Sequence, residues 1–189
     1  MVSGPGVLEF RLANQKDAAR ITELHAASWR DTYRGLLSDE YLDGDVVAER
    51  TKIWVERLTT PNPKQRIVLA EAERGLAGFA CAIGSDDAEL GTLLDNLHVS
   101  REFQRQGIGA KLMHEIASWC RVELPGEGLF LWVLEGNRQA RRFYEQLGAI
   151  KVNEDFWHAP DGRLIPGLCY AWKRLDSLVS ALTMRTSKP

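Results

Sequence analysis

The hydrophobic and polar positions in the first third of the chain predict one strand followed by helices. Residues 7–13 alternate apolar with polar side chains, which is the period-2 pattern of a half-buried strand. A helix with a single apolar stripe is predicted from Asp17, whose carboxylate is a suitable N-cap. A second helical pattern covers residues 39–58 and is interrupted at Gly44.

The middle of the chain alternates between strand and helix patterns. Residues 66–73 and 76–84 predict two strands joined by a short turn, so we expect a β-hairpin. Residues 89–99 predict a further strand, although the polar residues near its end are unusual for a buried one. Residues 107–124 place apolar side chains on one helical face, and the near-continuous apolar run at residues 129–134 is typical of a strand covered on both faces.

The last third of the chain predicts one helix, two strands and a tail. Residues 137–147 begin with an N-cap residue and end before a glycine, as a helix does. Residues 150–158 and 164–174 predict two strands joined by a turn. Because hydrophobic density falls afterwards, we expect one domain over residues 1–175 and a flexible tail over residues 176–189.

The composition is that of a folded chain, and the net charge lacks the positive excess that is typical of nucleic-acid-binding proteins. The 189 residues are 44% hydrophobic and 26% charged, which is ordinary for a globular domain. A net charge of −2 argues against a nucleic-acid partner, because such a partner requires many phosphates to be neutralised. Cys81, Cys120 and Cys169 are far apart in the sequence, so neither a disulfide framework nor a zinc site is predicted, and we expect no metal.

The N-terminal segment has neither a basic stretch nor an unbroken apolar run, so no secretory signal is predicted. No segment of the chain reaches the length of a membrane span, and we expect no membrane partner. These features together predict a cytoplasmic protein.

A pair of glycines marks the junction between the strand at residues 89–99 and the helix that follows it. Gly107 and Gly109 allow consecutive backbone N–H groups to turn toward one point at the helix N-terminus, where the helix dipole also favours an anion. A pyrophosphate fits such a site. The alternatives are a tight turn without a ligand and a dinucleotide-binding fingerprint, but the latter needs glycine where this chain has Leu112.

The same junction resembles the signature of the GNAT family of N-acetyltransferases. Gln104-x-x-Gly107-x-Gly109 is similar to the family motif Q/R-x-x-G-x-G/A. The resemblance implies that the pyrophosphate of coenzyme A is held by the segment Gln104, Arg105, Gln106, Gly107, Ile108, Gly109 and Ala110. It also implies that the main chain of Leu97, His98 and Val99 binds the pantetheine arm. The chain departs from the family at Arg101, where proline is frequent.

A second motif of the same family follows about thirty residues later. Asn137-x-x-Ala140-x-x-Phe143-Tyr144-x-x-x-Gly148 resembles the family's pattern. The residues at helical spacing on one face are Asn137, Ala140, Arg141 and Tyr144. In the family these residues bracket coenzyme A, with the tyrosine near the sulfur. Tyr144 is therefore the predicted general acid that protonates the departing thiolate, the alternative being a tyrosine that only packs against its neighbour.

A general base is needed because an alkylammonium group, with a pKa of about 10, must lose a proton before it attacks. Asp95 and His98 are the candidates. Both lie on the strand before the glycine loop, and period 2 sends them to opposite faces unless a bulge intervenes. A structural histidine, a surface carboxylate and a proton relay through water remain open alternatives.

The candidate acceptor-binding residues are dominated by aromatic side chains. Trp29 and Tyr33 lie four residues apart on one helical face, in a stretch that resembles the segment flanking the acceptor pocket in GNAT proteins. Asn96 and Trp157 are weaker candidates of the same kind. Packing in the core explains the aromatic pair equally well.

The resemblance implies an α/β protein with the three-layer GNAT fold, a central mixed sheet of about seven strands flanked by helices. It implies transfer of an acetyl group from acetyl-CoA to a primary amine of a small molecule such as a polyamine, an amino acid or an antibiotic-like amine, by direct attack within a ternary complex. A protein or peptide N-acetyltransferase and a non-catalytic acyl-CoA-binding module are the alternatives. A homodimer is compatible with the sequence.

Overall fold

A computed structural model of the protein describes residues 8–60 and 62–186. The strands are β1 (Glu9–Leu12), β2 (Gln65–Ala72), β3 (Gly75–Asp87), β4 (Gly91–Val99), β5 (Leu129–Leu134), β6 (Ile150–His158) and β7 (Leu164–Trp172). The helices are α1 (Ala18–Tyr33), α2 (Asp39–Asp43), α3 (Val46–Thr59), α4 (Ile108–Glu123), α5 (Arg138–Gln146) and α6 (Leu175–Thr186). Residue 7, where the first predicted strand begins, lies outside the described residues.

The strands form one seven-stranded mixed sheet in the order β1-β2-β3-β4-β5-β7-β6. All neighbouring strands are antiparallel except β4 and β5, which are parallel. This parallel pair is short, because its register consists of Thr92 with Leu129 and Leu93 with Phe130. The predicted α/β fold with a mixed seven-stranded sheet is therefore confirmed, and the sheet has a gap at its centre where β4 and β5 diverge.

Alternation along the strands sends successive side chains to two helical layers. Ile67 and Leu69 of β2 pack with α1 and α3, whereas Val68 and Ala70 pack with α4. The core on the α4 side is the larger of the two, and it also contains residues from α5 and α6. Within the described ranges, no helix combines the length and the apolar character that crossing a membrane requires.

Asp17 does not cap α1 as predicted. The residue ends a 3-10 turn, Gln15–Asp17, which Asn14 caps, and no side-chain cap bonds the start of α1. The Asp17 carboxylate accepts the N–H of Asn14 at 2.9 Å and pairs with Arg11 at 2.7 Å. The prediction missed the extra turn because Asn14 and Asp17 together form a capping box one turn upstream.

The prediction of a flexible tail over residues 176–189 is wrong for every tail residue that the structure describes. Residues up to 186 belong to α6, and Leu178, Val179 and Leu182 of this helix are buried in the α4-side core. The helix packs along α4. Residues 187–189 lie outside the described residues. The low hydrophobic density of the tail hid an amphipathic helix whose apolar side chains share one face.

Replacing Leu178 with alanine is expected to reduce the free energy of unfolding by on the order of 3 kcal/mol, because the deletion leaves a cavity in the core. Leu178 is 1% exposed. Met184 lies on the same helix and is 69% exposed, so Met184→Ala is the matched control and is expected to change stability little. Chemical denaturation of both variants measures the difference, and equal stabilities would mean that α6 does not contribute to the core.

Candidate functional site

The gap between β4 and β5 lies at the carboxyl ends of both strands, and each strand leads into a helix there. β4 is followed by the glycine loop and α4, and β5 is followed by α5. The N-termini of two helices therefore lie on either side of an opening in the sheet. Such an edge, with diverging strands and exposed helix N-termini, is where α/β folds commonly bind ligands.

The glycine loop has an unusual backbone that turns its N–H groups in one direction. Arg105 and Gly107 have φ of +63° and +79°, both in the left-handed region, which is uncommon for a residue with a side chain. The Gln104 side chain donates to the Val99 carbonyl at 3.3 Å, and the Gln106 side chain donates to the Glu102 carbonyl at 3.2 Å. Two left-handed residues so close together favour a concave arrangement of N–H groups that suits an anion.

The start of α4 has donors that no side chain caps. Gly107 is the N-cap residue and makes no side-chain cap bond, and the first turn holds no acidic residue. A Cβ atom added at Gly109 would lie 3.7 Å from Val99 Cγ2 and 3.8 Å from Phe143 Cζ, which is ordinary contact. Packing within the protein therefore does not require glycine at position 109. The open approach to the N–H groups of residues 108–110 fits a bound pyrophosphate.

Two of the predicted ligand-binding residues of α5, Asn137 and Arg141, make hydrogen bonds within the protein. The Asn137 amide oxygen caps the helix by accepting the N–H of Ala140 at 3.1 Å. Arg141 donates from Nη1 to the Glu135 carbonyl at 3.0 Å, and a hydrogen bond with Tyr170 raises the pKa of its guanidinium. These contacts account for Asn137 as a cap and engage Arg141 with the protein itself.

Tyr144, the predicted general acid, is buried on the α4 side of the sheet. Its ring lies edge-on to Phe143 at 5.3 Å and to Trp172 at 6.1 Å, and its hydroxyl makes no hydrogen bond with the described residues. Burial raises the pKa of the Tyr144 phenol above its ordinary value, and the Tyr33 phenol adds to the rise. The hydroxyl is therefore protonated at physiological pH and has its proton to donate.

A β-bulge decides which way the candidate bases point. Cys81 of β3 pairs with Asn96, and the next residue, Ala82, pairs with Leu94, so Asp95 is the extra residue of the bulge. The bulge places Asp95 on the same face of the sheet as Asn96 and His98. That face carries α1 and α3, whereas Leu97 and Val99 pack on the α4 side.

Asp95 and His98 differ in their surroundings. Arg57 of α3 donates from Nη1 to the Asp95 carboxylate at 2.5 Å, and both side chains remain partly exposed. His98 Nδ1 lies 2.8 Å from Ser28 Oγ, and its ring lies 4.6 Å from that of His25. Burial, together with the charge of Arg50, lowers the pKa of His98 to about 4. His98 is therefore a neutral imidazole of weak proton affinity at pH 7.

A cleft of about 700 Å³ opens on the α1 and α3 side of the bulge. The predicted acceptor residues Trp29, Tyr33, Asn96 and Trp157 all line it, and Asp95 does as well. Trp29 lies edge-on to Tyr33 at 5.3 Å and to Trp157 at 5.8 Å. The aromatic residues both pack against one another and wall the cleft.

The family is decided by comparison of the whole sequence with known proteins. The sequence model of the acetyltransferase (GNAT) family matches residues 18–149, more than half of the chain. This chain belongs to the GNAT family. The match spans both glycine-loop and α5 motifs, and the protein is accordingly an acyltransferase enzyme.

GNAT relatives are similar over nearly the full length of the chain. A probable N-acetyltransferase of Mycobacterium tuberculosis is 27% identical over 178 residues, which cover 92% of this chain and 90% of the relative. An uncharacterized N-acetyltransferase of Bacillus subtilis is 28% identical over 179 residues, covering 93% and 97% respectively. The PaiA N-acetyltransferase of Thermoplasma acidophilum, solved in complex with coenzyme A, has a TM-score of 0.67 at 20% identity and covers 85% of this chain and 98% of its own. The last similarity shows a shared fold.

Polar residues of this GNAT cleft were missed by sequence reasoning, which interpreted residues 39–58 only through their apolar face. Arg50 and Arg57 of α3, which lie on either side of the apolar Ile53, line the cleft, and so does His25 of α1. Their spacing of three and four residues places the two arginines on one stripe of the helix. Two arginines at this spacing on an otherwise apolar helical stripe are the feature of the sequence from which a polar lining of the cleft could have been predicted.

Proposed function

We propose that this enzyme transfers an acetyl group from acetyl-CoA to a primary amine of a small molecule, by direct attack within a ternary complex. The observation that carries the proposal is the gap between β4 and β5. It connects the uncapped N-terminus of α4 on one side of the sheet with the aromatic cleft on the other. A donor and an acceptor that enter from opposite sides can meet in such a gap.

The donor side of the gap fits acetyl-CoA. The N–H groups of residues 108–110 offer the pyrophosphate a helix N-terminus, and Arg101, Arg105 and Lys111 surround the loop with positive charge. The edge of β4 that faces the gap leaves main-chain groups of Leu97 and Val99 for the amides of the pantetheine arm. The likeness to a coenzyme A complex of the same fold supports this placement.

Tyr144 is the proposed general acid. Its hydroxyl keeps its proton at physiological pH, and it lies close enough to the phenol of the cleft residue Tyr33 to feel its charge. In the proposed complex, this hydroxyl donates its proton to the departing thiolate of coenzyme A. Donation avoids release of a free thiolate into a partly dry site. Packing against Phe143 and Trp172 holds the ring in place for this role.

Asp95 is the proposed base in preference to His98. Asp95 lines the acceptor cleft, whereas His98 lies behind it against His25 and Ser28. The Asp95 carboxylate, fixed by Arg57, can accept the proton directly or through a water molecule.

A peptide amine is the second candidate acceptor, because part of the cleft wall is apolar and open to solvent. Trp132 is 45% exposed and Phe156 is 59% exposed, and both line the cleft. Exposed aromatic side chains beside a binding cleft offer contact area to a longer ligand such as a peptide N-terminus.

Thermal-shift titration with acetyl-CoA, followed by a thiol-release assay on a panel of amines, tests the proposal. Acetyl-CoA at a hundredfold excess over its Kd is expected to stabilise the protein by about 2.7 kcal/mol. Turnover with small amines supports the proposed acceptor class, and turnover with peptides alone supports the second candidate. A shift without any turnover points to a binding module, and no shift at all contradicts the proposal.

A further inference from the structure

Three unpartnered polar atoms gather around the acceptor cleft. Among the described residues, the buried side-chain atoms without a hydrogen-bond partner include His25 Nε2, Arg50 Nε and Asn96 Oδ1. All three residues line the cleft. Since buried polar groups in proteins are nearly always paired, unpaired atoms concentrated at one cleft indicate groups that a ligand supplies.

The tautomer of His25 is fixed by its neighbour. The indole N–H of Trp54 donates to His25 Nδ1 at 3.0 Å, and an indole nitrogen can only donate. Burial lowers the pKa of His25 far below its ordinary value, so the ring is neutral. Its single proton is therefore on Nε2, so His25 Nε2 is a hydrogen-bond donor without an acceptor among the described residues. His25 is 1% exposed.

Arg50 is a buried cation with unused donors. The residue is 9% exposed, and its guanidinium lies 4.4 Å over the ring of Trp29. Its hydrogen bond is from Nη2 to Glu49 at 2.5 Å, and that carboxylate also accepts the hydroxyl of Tyr41. Nε and Nη1 make no hydrogen bond with the described residues. Arg57 is paired with Asp95 at the same distance, but of the two arginines only Arg50 has a buried Nε without a partner among the described residues.

Asn96 contributes the complementary group. Its amide nitrogen donates to the main-chain carbonyl of Asp95, which leaves the amide oxygen as an acceptor without a donor. Asn96 follows the bulge residue, so this acceptor lies beside the proposed base. Donors at one part of the cleft and an acceptor beside the bulge together match a ligand that has both a carboxylate and an amine.

We propose that the acceptor is an amine that carries a carboxylate, with Arg50 and His25 donating to the carboxylate and Asn96 accepting from the amine. The inference rests on the proposed function and narrows its substrate class to amino acids and related amino-carboxylates. Polyamines are less favoured, because two of the three carboxylates that line the described cleft, Glu49 and Asp95, are already paired with arginines.

Matched pairs of acceptors test the proposal directly. Calorimetry on the coenzyme A-loaded enzyme compares common α-amino acids and β-alanine with their carboxamides, which have the amine but lack the carboxylate. The preferred amino acid is expected to bind about tenfold to a hundredfold more tightly than its amide. The thiol-release assay is expected to show the same preference in kcat/KM.

Arg50→Gln is expected to remove that preference, lowering binding of the amino acid to the level of its amide, while Arg50→Lys restores part of it. Arg66→Gln is the matched control, since Arg66 of β2 also has an unpartnered buried Nε but does not line the cleft. This variant is expected to keep the preference intact. If Arg50→Gln fails to fold, the wild-type preference and the lysine variant decide the question.

Equal or tighter binding of amides or polyamines by the wild-type enzyme overturns the inference, as does a failure of every amino-carboxylate to bind. If Arg50→Gln weakens binding of the amino acid and of its carboxamide equally, the inference is also overturned, because such a loss would be a structural effect. None of these results contradicts the proposed function if acetyl-CoA binds and another amine is acetylated. Absence of acetyl-CoA binding is the failure of the proposed function instead.

Discussion

Gly109→Glu is expected to weaken coenzyme A binding by more than about a hundredfold while the protein remains folded. The new carboxylate would occupy the approach to the N–H groups of α4 and repel the pyrophosphate. The fold tolerates it, because a Cβ at this position meets only ordinary contacts, and an acidic residue in the first turn of a helix is favourable. Isothermal titration with coenzyme A and thermal unfolding measure the two effects separately.

The same change at Gly107 is a less selective probe, because the φ of +79° strains any residue with a side chain. Gly126, just beyond the opposite end of α4, has a φ of +91° and an equally open surrounding. Gly126→Glu therefore reports the cost of strain without touching the site, and it is expected to bind coenzyme A normally. Unchanged affinity of Gly109→Glu for coenzyme A would show that the pyrophosphate does not bind at the N-terminus of α4.

Tyr144→Phe is expected to lower kcat by roughly a hundredfold to a thousandfold with little change in coenzyme A affinity, because it removes the proton donor for the departing thiolate. The substitution should cost little stability, since the hydroxyl makes no hydrogen bond with the described residues and the ring remains packed. Steady-state thiol release and coenzyme A titration on the same preparation separate the chemical effect from binding.

Tyr170→Phe provides the matched control for this variant. Tyr170 also contacts α5, where its hydroxyl donates to Glu145 at 2.6 Å, but it does not lie among the proposed reacting groups. Its loss is expected to lower stability by about 1 kcal/mol and to leave kcat intact. Near-normal turnover in Tyr144→Phe would instead assign the tyrosine to packing.

The sequence allowed prediction of those parts of the fold and site that local patterns determine. The strand at residues 129–134 has a strong apolar run, and the structure places β5 over the same residues. Gly107 was singled out because glycine is conformationally permissive, and its left-handed φ agrees with that reasoning. The four predicted acceptor residues line one cleft because their elements converge there, although their roles remain a prediction.

The remaining features depend on contacts between distant segments. Asp95 and His98 lie on the same face because β4 has one extra residue opposite β3. Period-2 reasoning from the sequence states the possibility of such a bulge but does not predict it. α6 is held by burial against α4, and its own sequence carries a weak signal. The unpartnered donors of Arg50 and His25 arise from packing between α1 and α3, so no linear spacing identifies them.

The bulge at Asp95 makes the length of β4 as important as its composition. Deleting a residue between the bulge and the glycine loop, such as Leu97, would exchange the two faces of the strand beyond it, turning His98 toward α4 and Val99 toward α3. Changes of chain length are therefore least tolerable in this strand, where they would disconnect the donor side from the acceptor side. The hairpin turn between β2 and β3 can vary in length without such an inversion, because it does not change the alternation within β4.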